Sequence, residues 1–201
     1  MHDTAVIALK LTDEVPGLEA DYIGADKGAL FLAGQGIRMR FAVGDFDSVE
    51  EKDLALIREY ADEVIRLNPV KNDSDSESAV RHCLACGYRK IIVCGPFGGR
   101  IDHAYVNLRL ASLFPGTVEL RDSRNRVICC GEGKWEFGSS YRYISFFADP
   151  EAEVTLKGMK YPLQHTLLTA DDIYTLSNEI TGDKGEIIVH RGRIIVMQCR
   201  D

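Results

Sequence analysis

The 201-residue chain carries 31 Asp and Glu against 24 Lys and Arg, a formal net charge of −7. That balance argues against a nucleic-acid partner, whose backbone needs clustered cations, and suits a metal-dependent or cation-binding site better. Hydrophobic content of 45% and charged content of 27% describe a globular protein with one large domain or two small ones.

Up to about residue 115, short apolar runs alternate with helical patterns. "AVIAL" (5–9), "YIGA" (22–25), "RFAV" (40–43), "EVIRL" (63–67) and "KIIVCG" (90–95) read as strands. "KGALFLAGQ", "VEEKDLALIREY", "DSESAVRHCLACG" and "IDHAYVNLRLASLF" read as the helices between them. This alternation predicts an α/β fold whose N-terminal sheet is mostly parallel and flanked by helices. Ser48 with Glu51 and Ser74 with Glu77 have capping-box spacing, and Gly87 suits a left-handed cap after Cys86. From about residue 117 strand signals take over: "TVELRD", "RVICCG", "KWEFG", "RYISFFA", "AEVTLKG" and the pair "GEIIVHRGRIIVMQC". The last pair predicts a hairpin about His190-Arg191-Gly192. The expected organisation is an α/β domain over 1–120 and an all-β, sandwich-like domain over 121–201.

No apolar run approaches the ~18 residues of a membrane span. The start "MHDTAVIALKLTDE" lacks the basic and apolar regions of a signal peptide, so a cytoplasmic protein with no membrane partner is expected. The six cysteines show no secreted disulfide spacing. Cys83 and Cys86 form a CxxC inside a helical pattern with no second ligand pair, which reads as buried thiols on a helix. Trp135, the single tryptophan, is expected in the β core.

In an open α/β sheet, ligands bind beyond the carboxyl ends of the strands. After "YIGA" come Asp26, Lys27 and Gly28. After "RFAV" comes "GDFDS" (44–48), in which an extended backbone turns Asp45 and Asp47 toward one point. After "EVIRL" comes "KNDSDSESA" (71–79), with Lys71, Asp73 and Asp75. After "KIIVCG" comes "PFGGRIDHAYVN", with Gly98, Gly99, Arg100, Asp102, His103 and Asn107. Each piece alone also fits a turn, a cap or a solvated helix start. Together they place acids at consecutive strand ends and glycines with an arginine at the last. Closely placed carboxylates hold Mg²⁺, which shares substrate phosphates. Glycine amides opening a helix approach phosphate oxygens, and an arginine forks onto them. No GxxxxGK[ST] occurs, and no GxGxxG follows the first strand.

"GDFDS", "KNDSDSESA" and "GGRIDHAYVN", in this order, resemble the thiamine pyrophosphokinase family. "LKGMKYPL" (156–163) and "LSNE" (176–179) extend the likeness into the β-rich tail. The resemblance implies an ATP- and Mg²⁺-dependent enzyme that makes thiamine diphosphate and AMP from thiamine and ATP. It implies Mg²⁺ ligation and catalysis by Asp45, Asp47 and Asp75, with Asp73 as a weaker ligand and Arg100 on the phosphates. Lys71, Gly98 and Gly99 would also contact phosphate, Asp102 and His103 would brace that loop, and Asp26 would face the nucleotide or metal. The family binds thiamine between the subunits of a homodimer, which points to Ser177 and Asn178 for the aminopyrimidine. The chain departs from the family's usual Lys-Asp-x-Thr-Asp by Asn72 and Ser74. Its first strand runs into "ALKLTDE" rather than an Asn-Gly turn, and Lys27, where many relatives have glycine, can itself reach a phosphate.

Two other readings compete. One is a thiamine-binding or sensor protein without catalysis, motivated by Asn72. The other is an aspartyl-type phosphohydrolase with Asp45 as nucleophile, for which D-x-D after a strand is the local signature.

Overall fold

A computed structural model describes residues 2–47, 49–67 and 74–201. The chain divides into two compact units, residues 1–110 with 120–123 and residues 111–119 with 124–201.

The first unit contains β1 (Thr4–Ala8), β2 (Asp21–Ala25), α1 (Lys27–Gly34), β3 (Phe41–Gly44), α2 (Glu51–Tyr60), β4 (Val64–Arg66), α3 (Asp75–Ala85) and β5 (Lys90–Cys94). α4 (Ile101–Leu113) follows. The strands pair in parallel in the order β5-β1-β2-β3-β4. Ala5, Val6, Ile7 and Ala8 are all fully buried, so β1 is covered on both faces, as a central strand of a parallel sheet must be. On one side α1 and α2 pack Ala29, Leu32, Ala33, Leu54 and Ile57 against Ala8, Ala42 and Phe46.

Local chemistry sets the helix ends. Ser74 caps α3 by accepting from the Glu77 N–H at 3.2 Å. The Glu77 carboxylate does not close the capping box; it pairs with Arg81 one turn on, at 2.7 Å. α3 ends as expected at Gly87, with φ 90° and its N–H donated to Leu84 O at 3.0 Å. α2 begins at Glu51 with Glu50 as its cap, and Ser48 lies outside the described residues. Cys83 is buried on α3, where burial pushes its thiol up. Among the described residues no cysteine is joined in a disulfide.

The second unit is built from β7 (Asn125–Cys130), β8 (Gly133–Gly138), β9 (Tyr143–Lys157), β10 (Leu163–Thr169) and β11 (Lys184–Cys199), after β6 (Val118–Arg121). Two sequence expectations are corrected here. "RYISFFA" and "AEVTLKG" are not separate strands but one, β9, running through a cis Asp149–Pro150 bond. "GEIIVHRGRIIVMQC" is likewise not a hairpin but the 16-residue β11. Its glycine makes a bulge rather than a turn. Gly192 has φ 79°, and a Cβ there would lie 2.2 Å from Glu151 O on the neighbouring β9. The bulge also shifts the burial phase. Gly185, Ile187 and Val189 face inward before it, and Ile194, Val196 and Gln198 after it. The first half of β11 pairs with β8 and the second with β7, while β9 pairs with both halves. β10, which carries no strong sequence signal, pairs antiparallel with β9. Phe137, Phe146, Val154, Leu156 and Ile187 centre the core, and Trp135 packs against it with its indole N–H on Gly131 O at 2.9 Å.

Candidate active site

The carboxyl ends of β1, β2, β3 and β5 open on one cavity of about 620 Å³, within the range of small-molecule sites. Asp26, Lys27, Asp45, Ser74, Asp75, Gly99, Arg100, His103 and Asn107 line it, with the Leu9–Leu11 segment along one side.

Asp26 is the residue the local structure is built around. It caps α1 at φ 47° and ψ −117°, a conformation that costs a non-glycine residue about 1–3 kcal/mol. Its amide donates to Val43 O at 3.0 Å, and its Oδ1 accepts from the Phe46 N–H at 3.3 Å. Gly44 makes this possible. A Cβ at Gly44 would lie 1.8 Å from Asp26 Oδ1, so the glycine that ends β3 is space for the neighbouring strand's carboxyl. Burial, a side-chain hydrogen bond to Asp75 and the charges of Asp75 and Asp45 push the Asp26 carboxyl up to about 7. Asp26 and Asp75 therefore meet as an acid pair held together by a proton.

The expected geometry of "GDFDS" is overturned. Phe46 has φ 57° and is buried, which breaks the extension after Gly44. The Asp47 amide instead turns back onto Asp45 Oδ1 at 3.0 Å. Asp45 faces the cavity, while Asp47 is exposed and is not among its lining residues. The acid that joins Asp45 and Asp75 there is Asp26.

At the last strand end, Gly98 adopts φ 94° and Gly99 packs so that a Cβ would meet Leu11 Cδ1 at 2.9 Å. Arg100 donates Nε to Asp102 Oδ1 at 3.1 Å and Nη2 to Oδ2. This fork raises the Arg100 guanidinium and holds the Asp102 carboxyl below its ordinary range. Asp102 also accepts from the His103 N–H at 2.9 Å. His103 is exposed on the cavity wall. Asn107, buried one turn on, ties helix to loop through Nδ2 on Pro96 O at 2.9 Å. Lys71 and Asp73 lie outside the described residues, as does Asn72.

In the second unit Ser177 has φ 57°, is exposed, and donates its N–H to Ser145 Oγ at 2.9 Å. Asn178 is buried and largely spent on backbone. Its Oδ1 accepts from Tyr161 N at 3.0 Å and Glu179 N at 2.9 Å, and its Nδ2 donates to Tyr161 O at 2.8 Å. One amide hydrogen remains. Sequence reasoning missed Lys10 and Leu11 at the cavity; the signal available was their place directly after β1.

A doubly covered parallel sheet with an acid-lined, glycine- and arginine-rimmed cavity at its strand ends defines a phosphate-handling α/β protein carrying a second, β-rich unit. Residues 19–117 match the family model described as thiamin pyrophosphokinase, catalytic domain, and residues 134–194 match its vitamin B1 binding domain. The chain belongs to the thiamine pyrophosphokinase family. It is 31% identical over 189 residues to a thiamine pyrophosphokinase of Bacillus subtilis (strain 168), covering 90% of this chain and 87% of that one. A crystal structure of thiamine pyrophosphokinase from Bacillus subtilis superimposes with a TM-score of 0.87 at 28% identity, covering 98% of this chain and 99% of the other. One from Geobacillus thermodenitrificans gives 0.87 at 25%, covering 98% of each. Among the described residues no helix is long and apolar enough to cross a membrane.

Proposed function

We propose that the protein transfers the pyrophosphoryl group of ATP to the hydroxyl of thiamine, giving thiamine diphosphate and AMP. The thiamine hydroxyl oxygen attacks the β-phosphorus, the bond from that phosphorus to the α–β bridging oxygen breaks, and AMP leaves with that oxygen. The hydroxyl proton passes to a carboxylate of the acid cluster, with Asp75 the candidate base. Residues 1–120 carry the chemistry and residues 121–201 bind thiamine.

The single observation that carries this reading is the convergence of Asp26, Asp45 and Asp75 on the cavity that Gly99 and Arg100 also line. The same acids supply the fit test for Mg²⁺. Two carboxyls that must share a proton to sit side by side can instead share a hard divalent ion. Among the described residues no three such side chains are grouped to hold a metal by themselves. Mg²⁺ needs no such cage, since it keeps waters and takes one or two carboxylates plus substrate phosphates. Asp45 and Asp75 would hold it from the cavity wall and Asp47 from the exposed rim, with Asp26 behind them. When bound, the ion neutralises charge developing on the phosphates. Arg100, steadied by Asp102, and the Gly98–Gly99 amides position the outer phosphates, as would Lys71 in the segment before α3, where Asp73 would be a weaker ligand of the ion.

Thiamine binding falls to Ser177, an exposed residue, with Asn178 fixing the loop around it and offering its remaining amide hydrogen. The cationic thiazolium is favoured beside acids. A homodimer with thiamine between subunits, and a cytoplasmic location, complete the proposal. The aspartyl phosphohydrolase reading gains nothing from the geometry. Asp45 follows the third strand, and Asp171-Asp172 belong to the second unit, not to the sheet that carries Asp45.

The test is chromatographic: ATP, thiamine and Mg²⁺ give equimolar AMP and thiamine diphosphate, and EDTA stops both. ADP and thiamine monophosphate, or thiamine binding with no AMP, would replace this reading.

A further inference from the structure

Lys10 and Lys27 line the same cavity as the acids, yet among the described residues neither is held in an ion pair. Lys27 is half-buried and is the first residue of the eight-residue α1. There the free N–H groups of the helix disfavour a cation, and the only acid at that helix end, the cap Asp26, makes no side-chain bond to the helix. A lysine at that position works against its own helix, the kind of local conflict that marks a functional residue.

The backbone brings the two lysines to one side. A Cβ at Gly28 would lie 1.9 Å from Ala8 O and 3.0 Å from Leu9 C, so the start of α1 presses on the end of β1. Lys10 and Leu11 form the corner of a tight turn closed by the Thr12 N–H on Leu9 O at 3.1 Å. That turn is clamped to β5 by the Leu9 N–H on Cys94 O at 3.1 Å and the Thr12 hydroxyl on the same oxygen at 2.9 Å. A Cβ at Gly95 would fall 2.3 Å from Thr12 N, so the clamp is close. Lys10 is thus a long, exposed cation on a fixed backbone. Arg100, the third cation on the cavity wall, is already compensated by Asp102.

Building on the pyrophosphokinase reading, we infer that Lys10 and Lys27 form the cationic half of the cavity and hold the β- and γ-phosphates of ATP, the group to be transferred, opposite the carboxylates. The outer phosphates rather than the α-phosphate follow from sequence adjacency. Lys27 directly succeeds Asp26, and a metal held by these acids shares the outer phosphate oxygens.

Lys10→Gln, Lys27→Gln and the double variant test this by titration calorimetry with Mg²⁺ and either a non-hydrolysable ATP analogue or AMP, at two salt concentrations. Each substitution weakens the analogue about tenfold, the scale of one charged hydrogen bond. AMP binding stays within about twofold, and the salt dependence of analogue binding flattens in the double variant. The KM for thiamine does not move. Lys27→Gln melts at or above the wild-type temperature, because it removes an unfavourable helix-end charge. Unchanged analogue affinity in both single variants, or equal weakening of AMP and analogue, overturns the inference. Wild-type protein that makes no AMP and thiamine diphosphate overturns the pyrophosphokinase reading instead, and the analogue-against-AMP comparison still decides the lysines.

Discussion

Asp26→Asn in the metal-free protein isolates the acid pair. The folded state raises the Asp26 carboxyl from an ordinary 3.8 to about 7. The folded protein therefore holds that proton more tightly than the unfolded chain does. Stability from this group is full below about pH 4, falls as pH rises toward 7, and is gone above it. A rise of that size corresponds to at most ~4 kcal/mol at ~1.36 kcal/mol per pH unit. Asp26 is only partly buried, and solvent screening reduces this to ~1–2 kcal/mol. Asparagine mimics the protonated acid. It keeps an oxygen for the Phe46 N–H, offers a donor to Asp75, and fits the space left by Gly44. In EDTA the variant should match wild type near pH 4 and exceed it by ~1–2 kcal/mol at pH 8, a melting shift of roughly 3–6 °C for a chain of this length. Urea unfolding at half-unit steps from pH 4 to 8.5 measures the difference directly. A wild-type-minus-variant difference that is flat across that range, or a variant weaker than wild type at pH 8, would refute the acid-pair argument.

Gly44→Ala should lower turnover about a hundredfold, since the new methyl must displace the Asp26 carboxyl by an ångström or more; wild-type turnover would show the carboxyl has room elsewhere. Asp45→Asn should abolish AMP formation, and Asp47→Asn should raise the Mg²⁺ needed for half-maximal rate as well as cutting turnover. Near-normal activity in a Mg²⁺ titration of Asp47→Asn takes Asp47 off the ion and leaves Asp26, Asp45 and Asp75 as the set. Asn178→Ala should raise the KM for thiamine by roughly tenfold with a smaller change in kcat; a change in kcat alone, at constant KM, would remove the 177–178 loop from the thiamine site.

What the sequence made legible, and what it hid, follows the range over which each feature is decided. The parallel strands and their helices were visible because each is encoded within its own residues, by an apolar run, a serine cap at Ser74 and a glycine stop at Gly87. The cavity was visible for a topological reason: parallel strands deliver their carboxyl ends to one edge, so acids following β2, β3 and the segment before α3 had to gather. What failed depended on partners distant in sequence. His190-Arg191-Gly192 has hairpin composition, but Gly192 sits against Glu151 O on a strand some forty residues away, and that contact makes it a bulge. The alternation argument for Asp45 and Asp47 assumed that extension continues past Gly44. Phe46 stops it by turning into the core beneath α1 and α2, at a positive φ no local rule assigns to phenylalanine. The same turn explains why Gly44 stands where it does. Burying Phe46 aims its N–H at Asp26, Asp26 swings over the end of β3 to accept it, and only a residue without a Cβ leaves the carboxyl somewhere to go. The glycine, the strained aspartate and the buried phenylalanine are thus one device, and its product is a carboxyl forced against Asp75 on the wall of the cavity.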